Sequence, residues 1–72
     1  MVLSATNEDG DQIEWRYDAA AHVYRFSKWW NDDYTGRRRE ALNIATQRAN
    51  AQWINIEMKR WAESGWTVLL LT

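Results

Sequence analysis

The 72-residue chain contains no cysteine and no proline, only three glycines and a single histidine. Without cysteine there is no disulfide framework to supplement a small core, no thiolate metal site, and nothing that directs the chain to an oxidising compartment. The opening stretch MVLSATNEDG lacks the basic region and long apolar run of a secretion signal. The apolar run near the end, Val68 to Leu71, is far too short to span a bilayer. The expectation is a soluble cytoplasmic protein that does not enter a membrane. Signatures of catalysis are missing as well: there is no phosphate-cradling glycine loop, no GxSxG nucleophile and no Cys/His cluster. His22 has no Ser, Cys or second His placed to work with it, so it reads as structural. Asn31, Asp32 and Asp33 lack the oxygen-ligand spacing of a calcium site. Neither an enzyme nor a bound metal or cofactor is expected.

What is present fits one small α+β domain over residues 1–72, close to the lower size limit for a single core. The formal net charge is -1, but its layout is uneven. Up to Tyr34 there are seven acids (Glu8, Asp9, Asp11, Glu14, Asp18, Asp32, Asp33) against three bases (Arg16, Arg25, Lys28). From Thr35 onward there are six bases (Arg37, Arg38, Arg39, Arg48, Lys59, Arg60) against three acids (Glu40, Glu57, Glu63). The molecule is therefore dipolar, acidic first and basic second. Six tryptophans in so short a chain exceed what a core alone requires, and Trp is enriched at binding hot spots.

Apolar alternation in the first half predicts a three-stranded antiparallel meander. Residues 1–6 and 12–18 flank NEDGD, with Asn at the first position of a type I turn and Gly at the fourth. That register sets Leu3 opposite Trp15 and Ala5 opposite Ile13. A second turn through Asp18-Ala19-Ala20-Ala21 pairs Tyr17 with His22, Trp15 with Tyr24, Ile13 with Phe26 and Glu14 with Arg25. One apolar face results: Leu3, Ala5, Ile13, Trp15, Tyr17, Tyr24 and Phe26.

From about Arg37 to Ser64, strong helix formers and a stop at Gly65 predict a helical segment, with a C-terminal hydrophobic contact from Trp66. Leu42, Ala45, Ala49, Trp53 and Ile56 recur at three- and four-residue spacing as the stripe that packs on the sheet. An unbroken helix of this length would extend about 42 Å, more than a domain this small spans, so it either bends or overhangs; Asn50 and Asn55 are its weakest positions, and a break near residues 50–52 would give two ordinary helices. On a continuous helix Ile54, Met58 and Trp61 form a second apolar stripe that needs a cover. The last segment, WTVLLLT, reads as a strand buried on both faces, either in a central position or under a partner. The predicted order is βββαβ: a β-meander, a long or kinked helix, and a C-terminal strand. A hairpin of 53–61 with 66–72 is the alternative.

Candidate contacts follow from these elements. Trp29 and Trp30 point to opposite faces if the third strand continues that far. Arg37, Arg38 and Arg39 would open the helix against its own dipole; either Asp32, Asp33 and Glu40 compensate them, or they face an anionic partner. Arg37, Arg48 and Lys59, spaced by eleven residues, would align as a basic stripe. The leading expectation is a small protein-binding regulator or inhibitor, of the kind phages and mobile elements often encode. It would occupy a partner's surface through Trp29, Trp30, the arginine cluster and the stripe Ile54, Met58, Trp61, and a homodimer is one form it would take. The alternative is nucleic-acid binding. A three-stranded sheet followed by a helix, with arginines at the junction, resembles the layout of small DNA-binding modules such as the arm-binding domains of phage integrases. That resemblance implies a basic sheet in the major groove, whereas the strands here carry mostly acids, so binding would fall to the arginine cluster and the basic stripe.

Overall fold

Alternation in the first half builds the sheet that it predicts, and the sheet then grows by one strand more than expected. A computed structural model describes all 72 residues. The elements are β1 (Val2–Thr6), β2 (Gln12–Asp18), β3 (Val23–Asn31), β4 (Arg38–Arg48), α1 (Ala51–Glu63) and β5 (Thr67–Leu71). The strands form one five-stranded sheet in the order β4-β3-β2-β1-β5, antiparallel at every step. The helix packs on one face, which makes an α+β fold with four strands before the helix.

The first hairpin has the expected register, Leu3 opposite Trp15 and Ala5 opposite Ile13. Asn7 fixes the turn, its Oδ1 accepting from the amides of Asp9 (3.0 Å) and Asp11 (2.9 Å). The second hairpin pairs two residues later than predicted on the β3 side: Tyr17 faces Tyr24, Trp15 faces Phe26 and Glu14 faces Ser27. The reason is a four-residue loop, Ala19–His22, in which His22 takes a left-handed φ of 54°, so pairing resumes only at Val23. A slip of two residues leaves every side chain on its face. The expected apolar face therefore survives, with Leu3, Ala5, Ile13, Trp15 and Tyr24 buried and Tyr17 and Phe26 packed against them.

The helix predicted for 37–64 is corrected: its first part is β4. Asp32 builds a hairpin turn where the helix start was expected. Its carboxylate accepts from the amides of Tyr34 (2.8 Å) and Thr35 (3.0 Å), and its own amide donates to the Arg37 carbonyl (2.8 Å). Gly36 supplies the positive φ of 71° that the turn requires. The free edge of β3 then takes the returning chain as its partner, and main-chain pairing overrides the local helix propensity of Arg, Glu, Ala and Leu. Leu42 and Ile44 sit in an irregularity between the pairs Phe26–Ala45 and Lys28–Ala41 and remain about half exposed. The Asn43 amide, at the centre of that irregularity, donates to the buried Ser27 Oγ (3.0 Å).

The true helix begins where the sequence looked weak. Asn50 caps it, Oδ1 accepting from the amides of Gln52 (2.8 Å) and Trp53 (3.3 Å). At the other end Gly65 has φ 87°, its amide donates to the Ala62 carbonyl, and the Trp66 amide donates to the Trp61 carbonyl. This is a Schellman closure, whose characteristic apolar contact is the edge-to-face pair Trp61–Trp66, 4.8 Å between centroids. Thirteen residues make the helix about 20 Å long.

With the phase set by residues 51–63 alone, the two proposed stripes exchange roles. Ile54 is only 2% exposed in the core, and Met58 and Trp61 pack against it, whereas Ile56 is 58% exposed and Leu42 lies on β4. Ile54 and Met58 thus need no cover from a partner, and Trp61 is left half-buried at the end of the stripe. Glu57 lies buried on the same face, paired with Arg60 at 3.3 Å. The central position expected for the last strand is corrected: β5 is an edge strand, Val68 and Leu70 facing the core, Leu69 and Leu71 exposed on the other face.

Two substitutions separate these helix facings. Ile54→Ala is expected to lower unfolding free energy in urea by about 2 to 5 kcal/mol, and Ile56→Ala by no more than about 0.5 kcal/mol. The opposite ranking would mean that the helix is rotated.

Candidate functional site

α1 touches β1 and β5 along the backbone and approaches neither β3 nor β4. Trp53 extends the cover sideways, meeting Trp15 edge-on at 4.8 Å and Tyr24 at 5.5 Å. Beyond the helix C-terminus nothing covers the sheet, and a cleft of about 680 Å³ opens there. Ile13, Phe26, Lys28 and Trp30 form its floor from β2 and β3, and the Trp61–Trp66 pair forms one wall. Asp9 and Asp11 from the first turn and Asp33 from the third stand around it.

The alternation of β3 explains the floor. Lys28 is the residue opposite Ile13, on the core side, so Trp30 faces the cleft and Trp29 faces away. The two tryptophans do lie on opposite faces. Trp29 is occupied, its Nε1 donating to Glu40 Oε2 at 3.2 Å across the strand pair. Trp30 carries Lys28 Nζ 5.0 Å from its ring centroid, a cation–π contact within the cleft. The Trp61 indole N–H is buried and has no hydrogen-bond acceptor.

A clamp fixes the acidic rim. Arg38 Nη1 donates to the Gly10 carbonyl and to Asn31 Oδ1 (3.3 Å), and Asn31 Nδ2 donates to the Asp9 carbonyl (3.4 Å). The first and third turns are thereby tied across the end of the sheet. Gly10 supplies the positive φ of 82° that the turn needs, and a Cβ there would stand 3.0 Å from Asn31 Nδ2, so the Asn31 side chain would have to shift slightly. Asp11 is engaged by Asn7 Nδ2 (3.0 Å), whereas the carboxylates of Asp9 and Asp33 enter no ion pair or side-chain hydrogen bond. The acids do not converge as a metal-binding group. With Lys28 the one cation among the lining residues, the cleft is net negative.

Of the residues singled out in the sequence, Trp29, Trp30 and Trp61 border the cleft, Trp29 from the strand whose outer face carries its indole. The others disperse. Ile54 and Met58 belong to the core side of the helix. Arg38 is the clamp, Arg39 pairs with Asp32 at 3.3 Å, and Arg37 is exposed at the turn. The basic stripe does not form: Arg37 and Arg48 flank and end β4, and Lys59 is on the helix, 4.0 Å from Glu63. The arginines meet no helix dipole, because no helix starts at residue 37. Sequence reasoning did not assign Phe26, Lys28, Trp66, Asp9, Asp11 and Asp33 to the site. Trp66 was visible as the contact expected after Gly65; the acids join only through the clamp, which has no sequence signature.

No helix is long and apolar enough to cross a membrane. Asp32 supports the third turn through its charge: the amides of Thr35 and Tyr34, and then Arg39, hold its carboxyl below the usual aspartate value. A depressed folded-state pKa gives stability that is complete above the unfolded value, near 3.8, and is lost as pH falls through the folded value. Asp32→Asn keeps the acceptor oxygen and removes the charge. The stability difference between wild type and Asp32→Asn is therefore expected to be constant around neutrality and to shrink in acid denaturation profiles below the ordinary carboxylate range. A difference that stays unchanged into strong acid would show that the charge contributes nothing. Compared with known proteins, the chain matches no family model, no curated protein and no solved structure.

Proposed function

We propose that this chain is a small protein-binding regulator or inhibitor that holds a basic segment of its partner protein in the tryptophan cleft. The observation that carries this is the combination of an aromatic lining, Phe26, Trp30, Trp61 and Trp66, with carboxylates at Asp9 and Asp33 that have no partner of their own. Aromatic faces attract cations, more strongly where water is displaced, and Lys28 over Trp30 already displays that geometry. An arginine suits the site best, since its planar guanidinium stacks on an indole while its N–H groups reach a carboxylate. The acidic rim would orient the approach of a basic partner, and the indoles would supply the buried anchors.

Calorimetric titration with a short arginine-rich peptide and with its glutamate-substituted counterpart tests this. The basic peptide is expected to bind and the acidic one not to bind. Trp30→Ala and the double variant Asp9→Asn, Asp33→Asn are each expected to weaken binding by about tenfold or more. Equal affinity in wild type and both variants would remove the cleft as the binding surface. Salt-sensitive binding of duplex DNA, lost in Arg37→Glu and Arg48→Glu, would favour the nucleic-acid alternative instead.

A further inference from the structure

The order β4-β3-β2-β1-β5 leaves two sheet edges, and they are built differently. β4 carries Arg38, Arg39, Glu40 and Arg48, and it is interrupted where Leu42, Asn43 and Ile44 oppose Ser27, with Asn43 at a φ of 52°. Charge and irregularity are the features by which edge strands resist docking with another strand. β5 has neither. Its sequence TVLLL contains no charge, no glycine and no proline, and it pairs with β1 without interruption from Thr67 to Leu71. Leu69 and Leu71 are 56% and 51% exposed on the face that no helix covers.

We infer that β5 is a self-association edge and that its occupant is β5 of a second copy, paired antiparallel about a twofold axis. In such a pair one residue must face its own counterpart. The register centred on Leu69 is the one that engages all five residues of the strand. It sets Leu69 against Leu69 and Thr67 against Leu71 on the outer face, and Val68 against Leu70 on the helix side. Every opposed pair is apolar or involves threonine, and no charges meet. α1 lies over β1 and β5, so the two helices would flank the axis on one face of a ten-stranded sheet. The remaining edges of that sheet are both β4, charged and irregular, so association stops at the dimer and does not propagate. The cleft is lined from β5's side only by Trp66, which precedes the paired residues, so this inference and the proposed function stand or fall separately.

Sedimentation equilibrium over a wide concentration range tests it, with Leu69→Lys and Ile44→Lys beside the wild type. Leu69 projects away from the core, and lysine there would put like charges directly opposite each other. Wild type and Ile44→Lys are expected to dimerise alike, and Leu69→Lys to do so about tenfold or more weakly. Backbone hydrogen exchange of the wild type provides a readout that needs no variant: protection in 67–71 should rise with protein concentration, and protection in 38–48 should not. A wild type that stays monomeric at every concentration, a dimer indifferent to Leu69→Lys, or protection that rises in 38–48 instead would each overturn the inference.

Discussion

A single short helix must cover a sheet much wider than itself, and most of this molecule follows from that mismatch. Five strands at about 4.8 Å spacing span about 19 Å between the outer strand axes, whereas a helix with its side chains is about 10 Å across. The helix sits over β1 and β5, and large aromatic side chains make up part of the shortfall: Trp53 leans onto Trp15 and Tyr24, and Phe26 packs against Trp15 at 4.7 Å. The excess of tryptophan is thus partly a matter of coverage. Where even these side chains do not reach, the sheet stays open, and that opening is the cleft.

The helix ending decides what surrounds the opening. The Schellman closure at Gly65 turns the chain back into β5 and holds Trp61 against Trp66, so a capping contact also becomes the wall of a binding surface. Opposite that wall, Arg38 ties the first turn to the end of β3, which keeps Asp9 beside the aromatic floor. The acidic first half of the chain thereby contributes its turns to the cleft, while the arginines that made the second half basic are mostly spent on structure: Arg38 on the clamp, Arg39 on Asp32, Arg60 on Glu57.

The first hairpin was legible because apolar alternation and NEDG point to the same register. The face of the sheet was legible even where the pairing slipped, since a two-residue shift keeps the face. β4 was not legible. Residues 37–49 are rich in Arg, Ala, Leu, Glu and Gln, whose local preference is helical, and only the competition for the free edge of β3 decides against it. The turn Asp32 to Gly36 held the missed signal: an acid accepting from the next amides and a glycine at its end, much as Asn7 and Gly10 serve the first turn. A helix begun at residue 37 has a different phase, which turns Ile56 inward and Ile54 outward. Asn50 reads as a weak helix position in the sequence and is the cap in the structure; Trp66 reads as a capping contact and also forms part of the cleft wall.

The length of the helix is the claim on which coverage, cleft and edges all rest. Nuclear Overhauser contacts along and across the backbone measure it directly. The structure predicts cross-strand contacts between Phe26 and Ala45 and between Trp30 and Arg39, with helical i to i+3 contacts confined to residues 51–63. Unbroken helical contacts from Arg37 to Ser64, with no cross-strand contacts to β3, would contradict it.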